Sequence, residues 1–225
     1  MRGDRALLST DPELPRLLAH GWVAIAESFG ARLHLDPVCG LLSEETSTVI
    51  ANLRSAVSSP GVWEYSIVEL DLPWSQQVRM LDAQTVDDYP GEADATRHAR
   101  LSEDALVGLF GSSRLFGALT VAPEASTATG GGGRGELIAF SSVRSVGDGV
   151  IETDFTAVHR DHRRKGLAAA LKAASVLAAW TDGHQEFRTG GSRRNEGIRA
   201  VNRRLGYVET ERWITLRDPN VAVAD

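Results

Sequence analysis

The chain has 225 residues, 42% of them hydrophobic and 24% charged, ordinary globular values that allow one domain with an extension and a sizeable core. The net charge of -6 argues against a general nucleic-acid binder, and the single cysteine, Cys39, excludes an internal disulfide and reads as a small packed residue. Neither a signal peptide nor an apolar run of about 18 residues is present, so a cytoplasmic protein off the membrane is the expectation.

In chain order, Leu17 to Val23 reads as a helix ending at Gly21-Trp22, followed by an alternating run to Leu35 that suits a hairpin. Ser43 to Ser58 has a helical pattern, with Ser43 as N-cap and Pro60-Gly61 as its stop. Trp63 to Leu70 alternates as a strand, and Pro73 ends it. Two helices follow, Ser75 to Asp88 and Ser102 to Phe110, the second opening on Ser102-Glu103-Asp104 in cap and first-turn positions. Carboxylates collect in and between them: Asp82, Asp87, Asp88, Glu92 and Asp94. They form either one wall of a site for a cationic group or a solvated acidic face.

Arg114 to Val121 and Glu136 to Val146 alternate as antiparallel strands. The glycines from Gly130 to Gly135 between them read as a flexible tip, since a strand and not a helix follows and no helix N-terminus is there to hold an anion. Val146-Gly147-Asp148-Gly149 makes a tight turn into the next strand.

The stretch from Val150 to Trp180 carries the chemistry. It runs from a strand through the basic turn Arg163-Arg164-Lys165-Gly166 into a helix of Ala and Leu that must be largely buried. Amides at a helix start lack intrahelical partners and sit at the positive end of the macrodipole, so this turn is built to receive a phosphate. The strand itself carries Glu152, Thr153 and Asp154, where a buried parallel strand would normally be Val, Ile and Leu. Polar groups there cost free energy unless bonded or used, which points to a site. Downstream, Asp182-Gly183 ends the helix, Glu186 to Thr189 gives a short strand, Glu196 to Leu205 a helix and Tyr207 to Arg217 the last strands.

Arg163, Gly166 and Ala168 fit the pyrophosphate signature of the GNAT superfamily of acetyl-CoA-dependent N-acetyltransferases, which the chain resembles. The run from Asn195 through Asn202 to Leu205-Gly206-Tyr207 is similar to that family's late helix and its Leu-Gly-aromatic ending, particularly in mycothiol synthase and related actinobacterial proteins. The resemblance implies an α/β fold: a mixed, mostly antiparallel sheet with a splayed central parallel strand pair, flanked by helices. It implies a domain over 61–218, a tail over 219–225 and an N-terminal extension over 1–60. Leu17 to Leu35 echoes Leu205 to Leu216, so that extension is either the remnant of a degenerate preceding GNAT half or a plain addition.

The implied reaction is transfer of acetyl from acetyl-CoA to a primary amine of a small molecule. A protein or peptide acceptor, or a non-catalytic acyl-CoA-binding module, are the alternatives. Such chemistry needs a proton acceptor for the ammonium, donors for the oxyanion and an acid for the departing thiolate. Glu152 falls where many members carry the general base, with Asp154 two residues on as reserve, unless one of them pairs with Arg144 or Arg188. The resemblance implies an amide near Thr156 for the oxyanion and Ala157 and Val158 for pantetheine. It gives Arg163, Arg164, Lys165, Gly166, Leu167 and Ala168 to the pyrophosphate, with Arg160 in reserve for the adenosine phosphate, and Asn195 and Asn202 to the cofactor side. Many members place a tyrosine acid where this chain has Asn202, which cannot donate as an acid, so thiolate protonation falls to water, to Tyr207, or to no protein group. No metal site is expected, and the apolar N-terminal strand completes either the sheet of its own chain or that of a neighbour in a homodimer.

Overall fold

The computed structural model describes residues 4–88, 98–120 and 135–220. Glu92, Asp94, Gly130 to Gly133 and the end of the tail lie outside the described residues. The elements are β1 (Asp4–Leu8), α1 (Leu14–Ala19), β2 (Val23–His34), α2 (Glu44–Val57), β3 (Tyr65–Leu70), α3 (Ser75–Thr85), α4 (Glu103–Ser112), β4 (Ser113–Thr120), β5 (Leu137–Ser145), β6 (Val150–Val158), α5 (Leu167–Thr181), β7 (Glu186–Ser192), α6 (Glu196–Arg204) and β8 (Val208–Arg217). They build one eight-stranded sheet in the order β1-β8-β2-β7-β6-β5-β4-β3. Every pair in it is antiparallel except β6 with β7.

Local chemistry explains the element ends. The Ser43 hydroxyl accepts from the Thr46 amide and the Ser102 hydroxyl from the Ala105 amide, satisfying orphan donors at the starts of α2 and α4. Gly147, Asp148 and Gly149 all take positive φ, and Val146 and Val150 close the turn with a 3.0 Å hydrogen bond from the Val146 amide. Helix α5 is sandwiched between the sheet and α2, which is why its sequence is apolar on nearly every side. Leu53, Ala170, Leu171 and Phe187 meet in that core, while Trp74, Val78, Leu106 and Phe140 form a second one beneath α3 and α4 on the opposite face of the sheet.

Residues 4–60 are not an appendage to this core. Strand β2 is one 12-residue strand, not a hairpin, and lies between β7 and β8. Its Phe29, Ala31 and Leu33 share a core with Val49, Ile50 and Leu53 of α2 and with α5, so a domain boundary at residues 60/61 would cut through packed side chains. The two runs that echo each other in sequence, in β2 and β8, are hydrogen-bonded to one another. Strand β1, unsuspected from the sequence, pairs with the outer side of β8. Residues 208–217 form one strand, and Cys39 is exposed instead of packed.

Candidate active site

The parallel ladder of β6 and β7 has only four rungs, from Val150 opposite Glu186 to Thr153 opposite Thr189. Beyond it β6 continues along β5 to Val158, whereas β7 follows β2 to Ser192. The strands part because each is held by a different antiparallel neighbour. The side of Asp154 to Val158 that faces away from β5 has no strand against it among the described residues. A cavity of about 630 Å³ opens at this fork, bounded by Glu152, Thr156, Lys172, Arg188, Asn195 and His98 among others. Gly190 belongs to its floor, and a Cβ there would stand 2.8 Å from the Phe29 carbonyl oxygen, so only glycine lets β2 and β7 approach this closely.

A β-bulge controls what β6 presents. Ser142 pairs with Phe155 but Val143 pairs with Thr153, which makes Asp154 the extra residue and breaks the alternation assumed in counting along an ungapped strand. On the near side of the bulge Thr153 is buried toward α5; on the far side Phe155 faces α3 and α4 and stacks on the His98 ring at 3.7 Å between centroids. Glu152 and Asp154 both reach Arg144, at 2.9 and 3.9 Å. The two carboxylates therefore share one guanidinium. Arg144 is the cross-strand partner of Glu152, which places the pairing in the sheet register itself.

Past β6 the chain makes a short 3₁₀ turn, takes positive φ at Arg164 and again at Gly166, and enters α5. Gly166 caps α5 without a side-chain bond, leaving the first amides of the helix uncapped by any side chain. Leu167 is 1% exposed and anchors the turn, and Ala168 is half-buried beside it. The basic side chains already have partners. Arg163 donates from Nε to the Val158 carbonyl oxygen and from Nη2 to Asp88, which Arg160 also reaches at 3.3 Å. The Arg163 bond holds the Asp88 carboxyl below its usual range. Lys165 donates to the Tyr65 hydroxyl at 2.8 Å, and that bond raises its ammonium pKa. Tyr65 in turn meets His162 Nδ1 at 2.9 Å.

The described members of the expected acidic wall do not line the cavity. Asp82 is 1% exposed and turned inward, accepting from the Leu101 amide and pairing with His98; Asp87 is exposed near Arg100, and Asp88 is bonded to the basic turn before α5. Asn202 is outside the cavity lining. It is 2% exposed on the buried face of α6, with neither side-chain amide atom hydrogen-bonded to protein. Asn195 borders the cavity, but its Oδ1 accepts from the Ile198 amide as the N-cap of α6. Tyr207 lies beneath the sheet, and burial pushes its phenol pKa up, with the Thr153 hydroxyl opposing.

Two groups went unnoticed in the sequence. The first is Lys172, 1% exposed within α5, whose Nζ donates to Thr189 Oγ1 at 3.0 Å and lies 5.6 Å from the Tyr207 ring centroid. Burial pushes its ammonium pKa down to about 7. A lone lysine in a helix otherwise apolar on every side was the signal that could have found it. The second is His98, oriented by the buried Asp82; their 16-residue separation carried no local signal.

No protein-family model and no curated protein matches the sequence. Solved structures do match the fold. A GCN5-related N-acetyltransferase from Sphaerobacter thermophilus superimposes with a TM-score of 0.65 at 13% identity, covering 98% of this chain and 61% of that one. A GCN5-related N-acetyltransferase from Kribbella flavida gives 0.56 at 16% identity over 97% of this chain and 68% of its own. A tandem GNAT protein of the clavulanic acid biosynthesis pathway gives 0.57 at 19% identity over 96% of this chain and 63% of its own. The chain thus has the GNAT fold and spans about two thirds of the length of these structures.

Proposed function

We propose that this protein transfers an acetyl group from acetyl-CoA to a primary amine of a small molecule. One observation carries the reading: the fork where β6 leaves β7 opens a cavity beside a free strand edge, and that edge leads directly to an uncapped, basic helix start. An uncapped helix N-terminus favours an anion, and a free strand edge favours a ligand with amide groups; a pyrophosphate joined to pantetheine has both. Gly166, Leu167 and Ala168 would offer the pyrophosphate their amides, with Arg164 beside them. Arg163 and Lys165 would join after releasing Asp88 and Tyr65. Ala157 and Val158 would pair with the pantetheine arm, and an amide near Thr156 would meet the oxyanion.

Glu152 is the first candidate for taking the ammonium proton. It borders the cavity, and Arg144 fixes its direction while leaving one carboxylate oxygen outside the ion pair. Asp154 is the reserve, and the Asp82-oriented His98 imidazole is a further proton acceptor at the cavity wall. A homodimer would fit the exposed edge of the sheet at β1.

The melting temperature with acetyl-CoA tests the reading. A ligand at about 100 times its Kd adds roughly 2.7 kcal/mol, a rise of about 5–10 °C for a chain of this size, and Gly166→Glu should abolish it. Glu152→Gln should keep the shift and lose about a hundredfold or more in amine-dependent thiol release. No shift at saturating acetyl-CoA would sink the acyltransferase reading; a shift without turnover on any amine would favour an acyl-CoA-binding module.

A further inference from the structure

We propose that Lys172 is the acid that protonates the thiolate leaving acetyl-CoA, acting from the foot of the fork between β6 and β7. The inference rests on the acetyl-transfer reading and supplies the proton donor that the late helix lacks.

The geometry points there from two directions. A ligand whose pyrophosphate sits on the first amides of α5 and whose arm follows the open edge of β6 backward ends at the last rung, Thr153 opposite Thr189. Lys172 Nζ is bonded to Thr189 at that rung and borders the cavity. Its helix is the one whose start faces the phosphates, so anion site and ammonium are held by one rigid element, five residues apart and roughly 7.5 Å along the axis. The other candidates are poorly placed. Asn202 has no acidic proton and lies outside the cavity lining, and Tyr207 is a buried phenol whose pKa is pushed up, weakening it as an acid. Lys172, held near 7, can both give and regain a proton near neutrality.

Protons balance as follows. The substrate ammonium gives one proton to the general base, and the neutral nitrogen attacks the thioester carbonyl carbon. On collapse the C–S bond breaks, its electron pair stays on sulfur, and Lys172 delivers a proton there, giving the thiol. The nitrogen sheds its second proton to solvent as the amide forms, the general base releases the first to solvent, and Lys172 regains one from solvent through the cavity, so one proton is released per turnover. Around Nζ the elements supply Thr189 from β7, Thr153 from β6 and the Tyr207 ring. Among the charged groups of the same cavity, Glu152 and Asp154 are bound to Arg144, Arg32 to Glu211, and His98 to Asp82, and Arg188 lies on β7.

The pH profile gives the direct test. On the full-length protein kcat with acetyl-CoA should fall as pH rises past the point where Lys172 loses its proton, a limb that Lys172→Met lacks. Lys172→Met should also lower kcat with acetyl-CoA by about a hundredfold with KM within about threefold, and recover most of it with an acetyl aryl thioester whose thiolate leaves unprotonated. Lys172→Gln serves if the methionine variant misfolds. The same alkaline limb in wild type and variant, or equal loss with both donors, overturns the inference alone. Failure of CoA to bind the wild type overturns the acetyl-transfer reading, and the inference with it.

Discussion

Lys172 offers a stability test that is independent of catalysis. Its pKa is about 7 in the fold against 10.5 unperturbed, because a fully buried ammonium has lost its water and gained only Thr189 in exchange. Below pH 7 both folded and unfolded chains carry the proton and the fold bears the full cost of burying it. Between 7 and 10.5 the unfolded chain binds the extra proton, so stability rises with pH; above 10.5 neither state is charged and the cost is gone. That cost is on the order of 4 kcal/mol. Lys172→Met should therefore melt above the wild type by on the order of 10 °C at pH 6, with the advantage shrinking steadily toward pH 10 in paired calorimetric scans. A difference independent of pH would mean that Lys172 is not buried as an ammonium. At this scale the sequence was half legible: Glu152 and Asp154 stood out as acids in a strand with Arg144 or Arg188 as a partner, and only the register of β5 on β6 decided for Arg144, which reaches both.

Among the elements, the turn between β6 and α5 was the most legible, since a basic run ending in glycine before an apolar helix has one natural structure, and Gly166 does adopt positive φ at the helix cap. Its long-range partner was not legible. Asp88, just past α3, clasps Arg163 and Arg160, so on the proposed reading an incoming phosphate would have to displace a carboxylate. Asp88→Asn removes that competitor's charge while keeping the side-chain shape. For a partly exposed ion pair worth about 1 kcal/mol, acetyl-CoA should bind roughly fivefold tighter, as calorimetric titration would measure. Weaker binding would show instead that Asp88 shapes the turn for its ligand. The bulge at Asp154 is also a property of the element: the count from Arg163 back to Glu152 holds in sequence, but the face on which each residue emerges changes in the middle of β6.

For the molecule as a whole, the decisive feature is that the first 60 residues complete the core of the rest. Removing them would strip β2 from between β7 and β8 and α2 from α5, exposing Phe187, Leu171 and Val176 and uncovering two strand edges. Each large apolar side chain so exposed forfeits about 1.5–3 kcal/mol, and a few of them exceed the net stability of an ordinary domain, about 5–15 kcal/mol. A fragment starting at residue 61 should show no cooperative thermal transition by circular dichroism, whereas one melting like the full chain would restore the N-terminal segment to a dispensable extension. By itself the sequence determined the helices and most strands, the basic turn into α5 and the fold class, because periodicity, caps and glycine positions act over a few residues. Tertiary structure alone decided the insertion of β2, the pairing of Asp88 with Arg163 and of Arg144 with Glu152, and the burial of Lys172 at the fork. Each of these depends on which distant segment wins a strand edge or a cavity wall, a choice made by the packing of the whole chain and not by any short stretch of it.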